Sequence, residues 1–381
     1  MLWRSVGRVG ASGLLRCLSV SLHSGTRTAT AARCPPFLSR CFSSSVAEDA
    51  QPPVKRWTLA VSPFTTVRAH LGCSISISPL DLHAFPEADR AFITVQGSET
   101  QVSLDQVQVR YDEESKDLLI SAEKVHSGVS IEMSAPIKSN LLITTRGNGS
   151  VHVKNMECDI CQVQTEEGNC LLHSVKGHQV EVQSRRGHIS GVGTIHGNVD
   201  IRTRGDGAVD VKKLQGSRMN VSTERGSMKI KAIYAQSSEL CSSSGKVELG
   251  HVHGNATVRN VTGDTVIDGS NSFLKVSSLS GGIDVYVGEG GSADLQSQEG
   301  AVCVRVPSSI KAGYELCGAM VDISPQLTLH SLKNNSSEGL TTAAGYVNGE
   351  LPVEQWIKAR AERGSVTVRP QSWFESLRLK N

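Results

Sequence analysis

The chain has 381 residues, 38% of them apolar, with 36 Gly but only 7 Phe, 5 Tyr and 4 Trp. Basic and acidic side chains nearly balance, 39 against 37. This composition argues against a large helical globule. No run approaches the ~18 apolar residues of a membrane span.

The first 47 residues hold six Arg, nine Ser and no Lys, Asp or Glu. An Arg-rich, Ser-rich, acid-free N-terminus is the pattern of a mitochondrial transit peptide. A secretory signal needs an unbroken apolar stretch, and Leu14 to Val20 is interrupted by Arg16 and Ser19. Arg40-Cys41-Phe42-Ser43 has the form of a matrix-peptidase site, so residues 1–42 are expected to leave by a cut between Phe42 and Ser43. The mature chain would then carry 33 basic and 37 acidic side chains, a net of −4. It has no global basic excess of the kind that marks nucleic-acid binders, so no nucleic-acid partner is expected. Seven cysteines remain at 73, 158, 161, 170, 241, 303 and 317. An odd number without framework spacing fits a reducing compartment such as the matrix.

Residues 43–56 read as a linker. Residues 57–145 are β-rich: Ile75-Ser-Ile77, Val107-Gln-Val109 and Leu118-Leu-Ile120 read as strands of an N-terminal cap and early coils. From residue 146 to 325 the chain keeps a beat. Gly149, Gly168, Gly187, Gly207, Gly226, Gly245, Gly263, Gly282 and Gly300 recur every 18 to 20 residues. Gly177, Gly197, Gly216, Gly254 and Gly291 keep the same phase. A period near 20 means stacked supersecondary units.

Each unit holds two alternating stretches. Val209 and Val211, or Met228 and Ile230, follow a glycine; Val221 and Thr223 precede the next. Period-two alternation marks half-buried strands. Glycine at the corners is expected to supply positive φ. One unit has no closed core, but stacking at ~4.8 Å makes one from ladders of inward side chains. Leu214, Ile233 and Val252 form a third ladder. The expectation is an all-β fold, a β-solenoid (β-helix) of about nine coils and ~40 Å, right-handed by the crossover preference. In the C-terminal cap, 326–381, Pro352 to Ala361 reads as a short helix because Val353, Trp356, Ile357 and Arg360 keep a 0, 3, 4, 7 spacing. Asn334 to Gly339 reads as a polar loop, and Gly364 to Val368 as a last strand.

The recurring Thr-x-x-Gly-x-Val, followed by Gly300-Ala-Val-Cys-Val-Arg-Val-Pro307, resembles the bacterial adhesin-type β-solenoid domain over roughly residues 60–325. With its presequence the chain is similar to the vertebrate family with sequence similarity 185 (its A-type members). The resemblance implies a fold and, at most, a non-enzymatic surface or scaffold role. It supplies no catalytic residues and no cofactor.

Cys158-x-x-Cys161 with Cys170-x-x-His173 has a four-ligand zinc spacing. The better reading is core cysteines, because Cys161 and Cys170 fall on the inward ladders, with zinc or a redox pair as the alternatives. His196 and His253 lie three repeats apart, ~14 Å, too far for one metal. A solenoid hydrolase or lyase acting on a glycan needs paired acids in adjacent coils. Asp200, Asp206, Asp210 and Asp268 show no such pair, and neither a phosphate loop nor a nucleophile elbow is present. Arg146, Arg185, Arg186, Arg204 and Arg225 precede their glycines by one to three residues and should line one edge. That edge reads as a binding ridge for an anionic membrane surface, or as a charge ladder with Glu166, Glu167 and Glu224. The leading expectation is a scaffold that meets an unidentified protein partner.

Overall fold

The computed structural model describes residues 54–97, 106–123, 128–337, 339–348 and 354–372. The segment expected to be a transit peptide, with its expected cut between Phe42 and Ser43, lies outside them. Among the described residues every regular element is a strand, and no helix is long and apolar enough to cross a membrane.

The alternation in the sequence becomes the solenoid directly. In the strand Val209–Thr223, Val209, Val211, Leu214, Met219, Val221 and Thr223 are buried while Asp210 and Lys212 are exposed. The next strand, Met228–Ser242, pairs with it in parallel: Val209 faces Met228, Leu214 faces Ile233 and Val221 faces Leu240. The same shift of one repeat joins Val247–Thr262. Inward side chains therefore stack in like columns, and each coil supplies what one unit lacks, a partner for its apolar face. The third ladder forms as expected, with Leu214, Ile233 and Val252 all buried.

The glycine beat has two causes. In the second series Gly197, Gly216 and Gly254 take the expected positive φ, 135°, 156° and 95°. Of the first series only Gly263 has a positive φ, 109°. What the others require is close approach. A Cβ at Gly226 would overlap the Gly207 carbonyl, and one at Gly245 the Gly226 carbonyl. The stack also passes through Gly281 rather than Gly282, because Gly281 sits over Gly263 and Gly300 over Gly281. A row of buried Thr, Ser and Asn accompanies it. Thr145 Oγ1 donates to the Gly149 carbonyl at 2.7 Å, and Thr203 Oγ1 to the Gly207 carbonyl at 2.8 Å. These local side-chain bonds add to a backbone ladder that continues through the corner, where the Arg186 amide donates to the Glu166 carbonyl and the Arg225 amide to the Gly205 carbonyl.

Both ends depart from sequential stacking. Thr66–Leu71 lies in parallel between Asp117–Ala122 and Asn140–Thr145, so the first coil in sequence is inserted between two later ones. At the other end Trp356–Pro370 lies in parallel between Ser292–Ser297 with Val302–Val306 on one side and Ala312–Ile323 on the other. Antiparallel strands cover the outer coils. Arg90–Gly97 pairs with Val129–Ala135, with Val54–Ala60 beyond it, and Leu340–Val347 pairs with Ala312–Ile323. They occupy edges that would otherwise template another chain.

Three expectations are corrected. The stretch expected to be helical is strand from Trp356. Ile357, Ala359 and Ala361 alternate inward, and two neighbouring strands offer the backbone a full ladder on each side, which overrides a short helical spacing. Pro352 and Val353 lie outside the described residues. The polar stretch from Asn334 is not a loop: Leu329–Ser337 pairs antiparallel with Leu340–Val347, because an edge strand is held by its backbone and tolerates polar side chains. The linker 43–56 ends early, since Val54–Ala60 is already strand.

Candidate functional site

Stacking brings the five arginines to the corner that precedes the first glycine series, and it brings acids with them. Arg185 pairs with Glu166 at 3.3 Å, Arg186 with Glu167 at 3.0 Å and Arg146 with Glu123 at 3.2 Å. Arg225 holds Asp206 at 2.8 Å and Glu224 at 3.5 Å. The Gly147 amide donates to Glu166 at 2.9 Å, and that bond together with Arg185 lowers the Glu166 carboxyl below its ordinary range. Arg204 alone of the five shows no carboxylate within 4 Å among the described residues. The edge is thus an alternating ladder, and mixed signs dilute its outward field.

The Cys and His candidates separate. Cys161 and Cys170 are interior, and Cys158 is 6% exposed at a corner in register with Gly177. His173 is half-buried on an outward position beside Lys154. Among the described residues no three His, Cys, Asp or Glu side chains gather as a metal set. Burial pushes the Cys170 thiol up to about 12. His196 lies in register with Lys176 and Gln215.

Sequence reasoning missed a group of lysines that makes no ion pair within 4 Å among the described residues. Val211 faces Ile230 and Lys213 faces Ala232, so Lys212 stands opposite Lys231 in the next coil, with Gly250 following in that column. Lys212 and Lys231 are exposed. Among the described residues no carboxylate lies within 4 Å of Lys212, Lys213 or Lys231. Lys213 Nζ sits 4.9 Å from the centre of the Tyr234 ring. Tyr234 in turn stacks on His253 at 4.5 Å and 7°. Burial, then His251, holds His253 below the ordinary imidazole range. The signal was available: Lys212 and Lys231 are one repeat apart.

A second group was also missed. Arg305, only 6% exposed, binds Asp284 at 2.5 Å and Asp268 at 3.5 Å, and donates to the Ile267 carbonyl at 3.0 Å. Two carboxylates from successive coils therefore converge on one guanidinium. Beside them His251, His253, Asn271 and Tyr286 line a hollow of about 30 Å³, room for a water or two. Asp200 is paired with its own neighbour Arg202 at 2.6 Å.

Residues 197–336 match the Toastrack DUF4097 family model. Among solved structures, one from Parabacteroides merdae described as a "putative adhesin" is 10% identical over 64% of this chain and 96% of that chain, with a TM-score of 0.37. One from Parabacteroides distasonis, described in the same words, is 12% identical over 64% and 98%, with a TM-score of 0.38. A third, from Bacteroides fragilis, is 12% identical over 84% and 99%, with a TM-score of 0.30.

Proposed function

We propose that the protein is a non-enzymatic interaction scaffold of the mitochondrial matrix, allied to the vertebrate family with sequence similarity 185, which docks an acidic protein surface on the outward row that bears Lys212, Lys213 and Lys231. The observation that carries this reading is the cluster itself: Lys212 and Lys231 in one outward column and Lys213 in the next, none with a carboxylate within 4 Å among the described residues. A solenoid holds such a row at fixed spacing, so an ordered partner loses little entropy in meeting it. The Arg edge favours an anionic lipid surface less, because four of its five guanidinium groups already hold carboxylates. The glycan-hydrolase reading has its acids in Asp268 and Asp284, but both are tied to Arg305 beside a hollow with room for only a water or two. The matrix address rests on the acid-free, Arg-rich tail.

Proximity labelling of the tagged protein in intact mitochondria tests this. The wild type should label matrix proteins with acidic surfaces from a mature form that starts at or just after Ser43. Lys212→Glu with Lys231→Glu should lose those partners without a change in melting. An unprocessed Met1 in the mature pool would refute the address. An unchanged partner set in the double variant would refute the docking face.

A further inference from the structure

The Cys158-x-x-Cys161 pair lies at a corner of the strand Glu157–Thr165. Asp159 and Ile160 between them are both exposed, so alternation breaks there and both cysteines turn inward. The corner is clamped, because the Asp159 and Ile160 amides both donate to Asn140 Oδ1, at 3.1 and 3.0 Å. The two thiols differ in access. Cys161 is fully buried, whereas Cys158 lines a surface cleft of about 250 Å³ with Phe64, Lys138, Lys176 and His196. Glu157 at its rim binds both lysines, at 3.1 and 2.6 Å.

We propose that Cys158 and Cys161 form a redox dithiol, in which Cys158 exchanges through the cleft with a small peptide disulfide of the glutathione class and Cys161 resolves the adduct. The Cys158 thiolate attacks one sulfur of the small disulfide, forms a mixed disulfide and displaces one thiolate. Cys161 then attacks Cys158 Sγ and breaks the mixed bond. Its proton goes to a departing thiolate, and the second small thiol leaves. Two electrons pass from the protein dithiol to the small disulfide, and a Cys158–Cys161 bond remains. The neighbouring electrostatics fit this order. Cys161 holds the Cys158 thiol below its ordinary range, outweighing burial and Asp159, while Cys161 itself is pushed well up and keeps its proton. The other described thiols that show a shift are all raised by burial, Cys73 to about 11. The reactive species is the thiolate, so Cys158 stands apart from them.

The test exposes the full chain to glutathione disulfide at neutral pH and follows each thiol by peptide mass spectrometry. The Cys158–Cys161 bond should accumulate while Cys73 and Cys170 stay reduced. Cys161→Ser should stop at glutathionylated Cys158, and Cys158→Ser should leave Cys161 unmodified. Alkylation of the wild type needs no variant, and Cys158 should react about tenfold faster than Cys303. Cys303 or Cys241 reacting as fast as Cys158, or a Cys161→Ser chain that builds no adduct at Cys158, would overturn the proposal.

Discussion

Gly226→Ala isolates the contact that sets the repeat. The new methyl carbon would overlap the Gly207 carbonyl oxygen, and it would also crowd the Gly207 carbonyl carbon and the Ala208 amide nitrogen. All three are backbone atoms, so no rotamer change relieves the clash, and the two coils must part at that corner. Overpacking costs ~1–3 kcal/mol where side chains adjust. Here the upper end applies, about 3 kcal/mol, or roughly 5 °C or more in melting temperature. Gly290→Ala is the control. Its nearest neighbour, the Asn271 carbonyl oxygen at 3.4 Å, is an ordinary contact, so the change should stay within about 0.5 kcal/mol. Thermal and denaturant unfolding of both variants decide it. If the two melt together, close stacking is not what places glycine at this corner.

Two further outcomes are expected. Val211→Asp buries a carboxylate at a fully buried position and should cost several kcal/mol, whereas Lys212→Asp, exposed beside it, should change melting little; equal losses would contradict the alternation. His152 and His253 are both held below the ordinary imidazole range, chiefly by burial. Protonating them therefore costs more in the folded chain than in the unfolded one. Their contribution is complete above the unfolded value of about 6.5 and is lost as pH falls through it towards the folded values. Melting temperature should drop from pH 7 to pH 5, and His152→Gln with His253→Gln should flatten that slope; an unaltered slope would place the titration elsewhere.

The regular coils were legible because one physical rule, alternation on a period near 19, sets most positions from Val151 to Val304, with breaks at corners such as Asp159 and Ile160. The ends were not, because insertion of Thr66–Leu71 and Trp356–Pro370 between other coils is a long-range pairing that leaves no local trace. Trp356, Ile357 and Arg360 fit a helical stripe while Ile357, Ala359 and Ala361 fit a strand, and over so short a stretch neither pattern outweighs the other. The Arg edge was located correctly along the chain, but its charge depends on Glu123, Asp206 and their neighbours arriving from other coils. The lysine row escaped notice for the opposite reason. Its importance lies in what is missing beside Lys212 and Lys231, and that becomes visible only when the columns are in register.

Site-specific photo-crosslinking in intact mitochondria tests the docking face most directly, with the crosslinker placed at position 231 in one chain and at position 185 in another. The account predicts discrete protein adducts from position 231 and none from position 185. Adducts from position 185 alone, or from neither position, would contradict it.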